Sequence, residues 1–480
     1  TSLAGGGHLV VFASGKDRST AGSDLHSIFR LDSGGESLRL FAPDGSTPVS
    51  QIDFAQQIPD ISYGIDDGGS TRFLTPTPGS PNGSGFDGRV ADTKFSPDRG
   101  FYDAPLDLVI TTATAGAQIR YTTDGSEPTA TNGTVYQAPI PITTTTPVRA
   151  AAFKADMLPT DVDTHTYLFL DDVIRQPANP PGAPGTWGSR TPDYEMDPDV
   201  VDDPAYSGEI IGGLKSIRTL SIVVPNDEFF NNPRGIYANP QNDGRAWERE
   251  VSFEFLHPAD PAEDVQTNGG IRIHGNGSRS ANGQPKHGFR VEFRGEYGAK
   301  RLRYRLFPDS KIDEFDSLIL RGQNAHGWTR SSQIGNNVGT TEREQSQYIR
   351  DSFARDLMKG MGHTAGEATY VHLYINGLYW GLYNPVEYPR SYFGASHFGG
   401  VEEDYDSINR RTTTTKILDG TFEAWNTMQA LANSGLGTRE SYEEMETCLL
   451  YTSPSPRDKI HDRVWRLLRG KGGGGGGGGG

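Results

Sequence analysis

The stretch Gly270-Ile-Arg-Ile-His-Gly-Asn-Gly-Ser-Arg-Ser280 decides how the long C-terminal part of this chain is read. Gly270–His274 alternates apolar and polar residues, the period of a strand with one buried face. Gly275–Ser280 is rich in glycine and serine and has no such period. Lys286 follows, and Phe289-Arg-Val-Glu-Phe293 resumes the alternation. A strand, a glycine loop and a lysine leading into a second strand form a hairpin suited to phosphate. Glycine backbone approaches oxygen closely and offers N–H donors, and an amine adds a point charge. Taken alone, the signal is weak, because Gly-rich hairpins are common and most are ordinary turns with a solvated lysine.

The elements around it extend the reading. Upstream, Leu220–Val224 and Val251–Phe255 have strand character. Downstream, residues 347–361 predict an amphipathic helix with Ile349, Phe353, Leu357 and Met361 at spacing four, ended by Gly362. Tyr370–Ile375 and Leu378–Tyr383 flank Asn376-Gly377, a strong hairpin signal, and lead into a hinge at Asn384-Pro-Val-Glu387. Glycine hairpin, lysine strand, helix, hairpin and hinge follow one another as in the small lobe of a protein kinase.

Specific motifs then give a family. Gly235-Ile-Tyr, Trp247-Glu-Arg, Gly270-Ile-Arg-Ile-His-Gly, Pro285-Lys286, Leu318-Ile-Leu-Arg321, Tyr348-Ile-Arg-Asp351 and Val371–Tyr383 resemble the CotH (spore coat protein H) kinase family along most of residues 210–445. That resemblance implies ATP and Mg²⁺ as cofactors and a protein Ser/Thr hydroxyl as acceptor. It implies that Gly275, Gly277 and Ser278 cover the phosphates, that Lys286 contacts them, and that Glu387 lies in the hinge beside the adenine. Asp351 or Asp356 would pair with Lys286, while Arg321 is as readily structural. The family's catalytic and metal-binding acids would follow residue 447. Asp404, Asp406 and Asp419 read as solvated loop residues, and no metal ligand is assigned before that point.

Two further segments precede this one. Residues 1–82 hold short strands about ten residues apart and resemble part of a lamin-tail domain, on Gly6–Ala13, Phe41–Gly45, Pro59–Gly64 and Thr75–Gly79. Residues 93–170 carry strands at 106–112, 117–123 and 147–153 with an Asp124-Gly125 turn. Ile119–Thr129 resembles the chitobiase/β-hexosaminidase C-terminal domain, an accessory module with a possible carbohydrate contact. Asp161 and Asp163 read as solvated rather than catalytic. A Pro- and Asp-rich linker spans 171–205. The expected fold is therefore multi-domain: two all-β immunoglobulin-like sandwiches, then an α+β protein-kinase-like domain at 206–447 truncated in its large lobe.

Composition sets the outer bounds. The 480 residues include 60 glycines, 31 prolines and one cysteine, Cys448, and carry a net charge of −16. Such a charge disfavours nucleic acid and anionic membrane, yet leaves room for a local basic cleft. No run is long enough to span a bilayer. The modular layout points to an extracellular or cell-surface protein, whether a kinase or a non-catalytic adhesion scaffold. Cys448–Asp458 resembles translated sequencing adapter, and Gly472–Gly480 resembles homopolymer read-through. Residues 448–480 are accordingly set apart from the fold, with disorder expected of a tail without side chains.

Overall fold

A computed structural model describes residues 3–451, apart from 21, 33, 59–60, 189, 276, 280–284, 323–346 and 411–414. The chain divides into two compact units: Thr1–Arg99 with Ala104–Tyr167, and Gly100–Asp103 with the chain from Leu168 onward.

The first unit is all β. In Leu106–Thr112 the burial alternates, with Leu108 and Ile110 inward and Asp107 and Val109 outward, as the sequence pattern requires. This strand pairs with Thr93–Ser96 and Ile140–Ile142. Gln118–Thr122, Thr146–Phe153 and Asp163–Leu168 form a second antiparallel sheet, where Val148 and Ala150–Ala152 are buried. Asp163 is no solvated loop acid, since it lies on a strand and accepts the Thr93 hydroxyl. Residues 3–82 depart from the expected sandwich. Their described strands pair only two by two: Val11–Phe12 with Leu25–His26, Glu36–Phe41 with Pro48–Phe54, and Ser62–Ile65 with Thr71–Leu74. Leu40 and Val49 stay 65% exposed, so the Glu36–Phe41 and Pro48–Phe54 hairpin leaves these side chains outside any core.

The second unit is built on a closed barrel of seven strands. They are β1 (Thr219–Val223), β2 (Arg249–Leu256), β3 (Val265–His274), β4 (Gly288–Glu292), β5 (Ser317–Arg321), β6 (Val371–Ile375) and β7 (Leu378–Glu387). The order is β1-β2-β3-β4-β5-β7-β6. All neighbours are antiparallel except β6, which closes on β1 in parallel. Closure leaves the barrel no open edge. Its interior takes alternate residues of each strand, among them Ile222, Phe253, Ile271, Phe289, Leu320 and Leu373.

Two expectations change here and one holds. The 171–205 segment is not a linker: Trp187 is 1% exposed and stacks 4.6 Å from Trp380, and Tyr194 is buried beside it. Gln176 pairs with both backbone groups of Tyr379, at 2.7 and 3.1 Å. The Asn376-Gly377 turn forms as read, with φ of 50° and 79°. Its Asn376 side chain also bonds Val224 N–H and C=O at 2.9 Å each, tying the hairpin to the end of β1. The expected hinge at 384–387 is strand, because β7 continues to Glu387.

The helix α1 (Arg350–Gly360) sits where its periodicity places it, with the opposite face inward. Asp351, Arg355 and Lys359 bond to the protein, while Phe353 is 64% exposed and Leu357 and Met361 are also outward. Ion pairs and not apolar burial therefore seat this helix. Helix α2 (Ser391–Phe398) and the hairpin β8 (Ser407–Arg410) with β9 (Thr415–Asp419) follow β7. Among the described residues no helix is long and apolar enough to cross a membrane.

Truncating a fully buried tryptophan costs about 3–5 kcal/mol. Trp187→Ala should lose that much in urea denaturation. A loss below about 1 kcal/mol would return 171–205 to the status of a linker.

Candidate functional site

The inward residues of β3 and β4 are apolar, so alternation leaves their outward residues charged. Arg272 lies directly opposite Arg290, and His274 opposite Gly288. Between the arginines stands Glu292, only 2% exposed. Its carboxylate holds Arg272 at 3.4 Å, Arg294 at 3.4 Å and Arg390 at 3.1 Å, and pairs with Arg290. Arg390 also forms a fork with Asp419, which caps Ser391 N at 3.1 Å. Asp419 is thus a half-buried brace and not the solvated loop acid expected from sequence.

A cavity of about 330 Å³ opens beside this cluster. Arg272, His274, Gly275, Arg279 and Arg290 line one side. Tyr388, the first residue past β7, and Lys416 of β9 complete it. The Arg290 guanidinium stacks 4.3 Å from the Tyr388 ring. Gly275 has φ of 129°, and any Cβ there would collide with the Ser278 hydroxyl, so the loop entry requires glycine. Arg279 ties the loop back through the carbonyls of Ile273 and Asn242 and through Asp243 at 3.5 Å. His274 is driven down to about 4, first by burial and then by Arg290, Arg279, Arg272 and Arg321 around it. It is neutral at pH 7. Four cationic side chains therefore face one acid, Asp243. A larger cavity of about 500 Å³ lies beyond Glu292, and there acids and bases balance.

The residues singled out from sequence do not converge. Gly275 lines the cavity, and Gly277 and Ser278 form the short turn Gly277–Arg279 above it; positions 276 and 280–284 of the loop lie outside the described residues. Lys286 does not line it. Its amine is buried 3.8 Å from Asp193 and 5.8 Å from the Trp380 ring centre, and burial lowers its pKa. Asp351 does not meet Lys286 either: it binds Arg321 at 2.6 Å and Arg355 at 2.7 Å. Burial opposes ionisation of Asp351, yet those two arginines outweigh it and hold the carboxyl below its usual range. Asp356 pairs with Lys359 at 3.1 Å. Glu387 is buried, accepts Glu367 N–H at 2.7 Å and meets His397 at 3.0 Å, away from the cavity lining. Sequence reading missed Arg272, Arg290, Tyr388 and Lys416. The signal was present in part, since Arg272 and Arg290 occupy polar positions of the two strands that flank the glycine loop. Among the described residues there is no group of three or more His, Cys, Asp or Glu that could hold a metal ion.

Comparison with known families bears directly on this geometry. Residues 271–452 match the family model described as CotH kinase protein. The match opens on β3 and takes in the glycine loop, Arg321, Asp351 and every cavity residue except Gln241 and Asp243. It also runs past Cys448, and a helix spans Arg439–Tyr451, so the boundary drawn at 448 from sequence falls inside both. Residues 97–164 match the chitobiase/beta-hexosaminidase C-terminal domain. No curated protein matches the chain.

Two outcomes test the site as built. Glu292→Gln removes the buried counter-charge that Arg272 and Arg290 share and should cost about 3–5 kcal/mol in denaturant. An unchanged midpoint would show the cluster to be solvated. His274 and His287 are both held down to about 4, His287 chiefly by burial. Above an ordinary histidine pKa of about 6.5 neither the folded nor the unfolded chain takes the proton. Below it the unfolded chain binds protons that the folded chain refuses, so stability should fall from about pH 6.5 to about pH 4 and then level off. His274→Gln should flatten that slope, and an identical slope would remove His274 as its source.

Proposed function

We propose that the barrel unit binds ATP as part of a CotH-type kinase that phosphorylates Ser or Thr hydroxyls of a protein, exported to the cell surface or beyond. The observation that carries the reading is the 2.6 Å pair between Arg321 and Asp351. In protein kinases a glycine loop covers the phosphates, and a basic residue on the third strand of the sheet pairs with an acid on the helix that follows. Here the glycine loop joins β3 to β4, Arg321 ends β5, the next strand in the sheet, and Asp351 lies on α1, the helix after it. The basic residue is Arg321 and not Lys286. Arginine keeps its charge when partly buried and presents a fork to phosphate oxygens. Asp351, itself held by Arg355, keeps that fork in place, so it is oriented before any ligand arrives.

The donor set of the cavity suits the phosphate tail of ATP, with Arg272, Arg290 and Lys416 along its walls and Gly275 at its roof. ATP, when bound, supplies the phosphoryl group. The protein's own residues bind and orient it: Arg321 and the cavity cations offset its charge, and the glycine loop offers backbone N–H donors.

A fluorescent ATP analogue titrated into the full chain checks the assignment. Arg321→Ala should weaken binding by about tenfold or more, the scale of one charge-assisted contact. Lys286→Met, which keeps the packing against Trp380, should leave affinity within about twofold. Loss of binding in Lys286→Met with retention in Arg321→Ala would overturn the assignment, as would an absence of binding by the unaltered chain.

A further inference from the structure

We propose that the outward face of α1 is a contact between two copies of this chain, packed as antiparallel helices about a two-fold axis near residue 355. Ile349, Phe353, Leu357 and Met361 run along this face at spacing four, and Met358 lies beside them, one turn before Met361. All five are 41–64% exposed. The helix cannot turn them inward without breaking what seats it. Its other face is held by Asp351 on Arg321 at 2.6 Å, Arg355 on the Gly366 carbonyl at 3.2 Å, Lys359 on Glu367 at 2.7 Å and Ser352 on Tyr370 at 3.0 Å. The apolar stripe is therefore fixed toward solvent by polar contacts on the opposite side.

Symmetry and area name the occupant. Phe353 and Leu357 stand equally far from residue 355, and so do Ile349 and Met361. Two such helices running in opposite directions set Phe353 against Leu357 and Ile349 against Met361, so one patch serves both copies, as a closed dimer requires. The five side chains leave on the order of 100 Å² bare each, about 500 Å² per copy, the size of patch that marks a contact site on a monomer. Paired with itself the patch covers about 1,000 Å², the lower bound of a specific and reversible interface. Asp356, the acid beside the stripe, is already paired with Lys359 at 3.1 Å, so it brings no unmatched negative charge to the contact.

Sedimentation velocity of the full chain from about 1 to about 100 µM tests this, since an interface of that area gives micromolar affinity. The unaltered chain should pass from monomer to dimer across that range. Phe353→Glu and Leu357→Glu should each weaken the dimer about tenfold or more, the loss expected of a central apolar contact. Both side chains are exposed, so the variants should fold. Leu40→Glu, on the other exposed apolar hairpin, should leave the dimer unchanged. A second measurement needs no substitution: peroxide should oxidise Met358 and Met361 several-fold more slowly at the high concentration than at the low one. A monomer throughout the range overturns the inference. So does a dimer that survives both α1 variants, a dimer that Leu40→Glu abolishes, or methionine oxidation that is independent of concentration.

Discussion

Glu292 is a carboxylate removed almost wholly from water, and a buried charge survives only where it is matched. Arg272, Arg290, Arg294 and Arg390 supply that match from β3, β4, the turn after β4 and the segment after β7. The consequence reaches in both directions. Arg390 is held in line with Asp419, which fixes the β8–β9 hairpin against the start of α2. Arg290 is held where it can stack on Tyr388, which sets one wall of the cavity. One carboxylate thus fixes the distance between the two strands of the glycine hairpin and the hairpin that faces them. Arg294 also meets Glu248 and Arg390 also meets Asp419, so Arg272 and Arg290, beside the cavity, are the two whose acid partner among the described residues is Glu292 alone.

The barrel separates stability from chemistry. Aromatic packing inside it, centred on Trp187, Tyr237, Trp380 and Phe289, holds the strands without any part in the charged outer face. Lys286 belongs to that inner system: its amine lies against Trp380 and Asp193, so it anchors the strand that leaves the glycine loop. The helix α1 belongs to the outer system. It contributes no buried side chain and is seated by Asp351, Arg355 and Lys359. Such a helix responds to charge at the site more than to packing, because ion pairs and not apolar area decide its position.

Residue alternation made the strands legible. Gly270–His274, Phe289–Phe293 and Val371–Tyr383 each read correctly, because a period of two is a local property of the chain and needs no partner to be seen. The Asn376-Gly377 turn was legible for the same reason, since its left-handed backbone is a property of those two residues. The family motifs were legible as well, and the match over 271–452 agrees with them.

What the sequence could not determine is which charges meet. Lys286 follows the glycine loop closely, so proximity along the chain suggested it as the phosphate ligand; the fold turns its amine into an aromatic cluster built from residues near 187 and 380. Neither Asp351 nor Asp356, the two acids offered as partners of Lys286, meets it: Asp356 pairs with Lys359, and Asp351 finds Arg321, a neighbour only because β5 and α1 come together in space. The apolar stripe of α1 had a clear period yet faces outward, since periodicity tells that a helix has two faces and not which one the protein covers. Lys416 lies far along the chain from Arg272, and no local pattern links them. The strands were decided by the chemistry of neighbouring residues, whereas the site was decided by barrel closure, which brings distant charges to one side of the sheet.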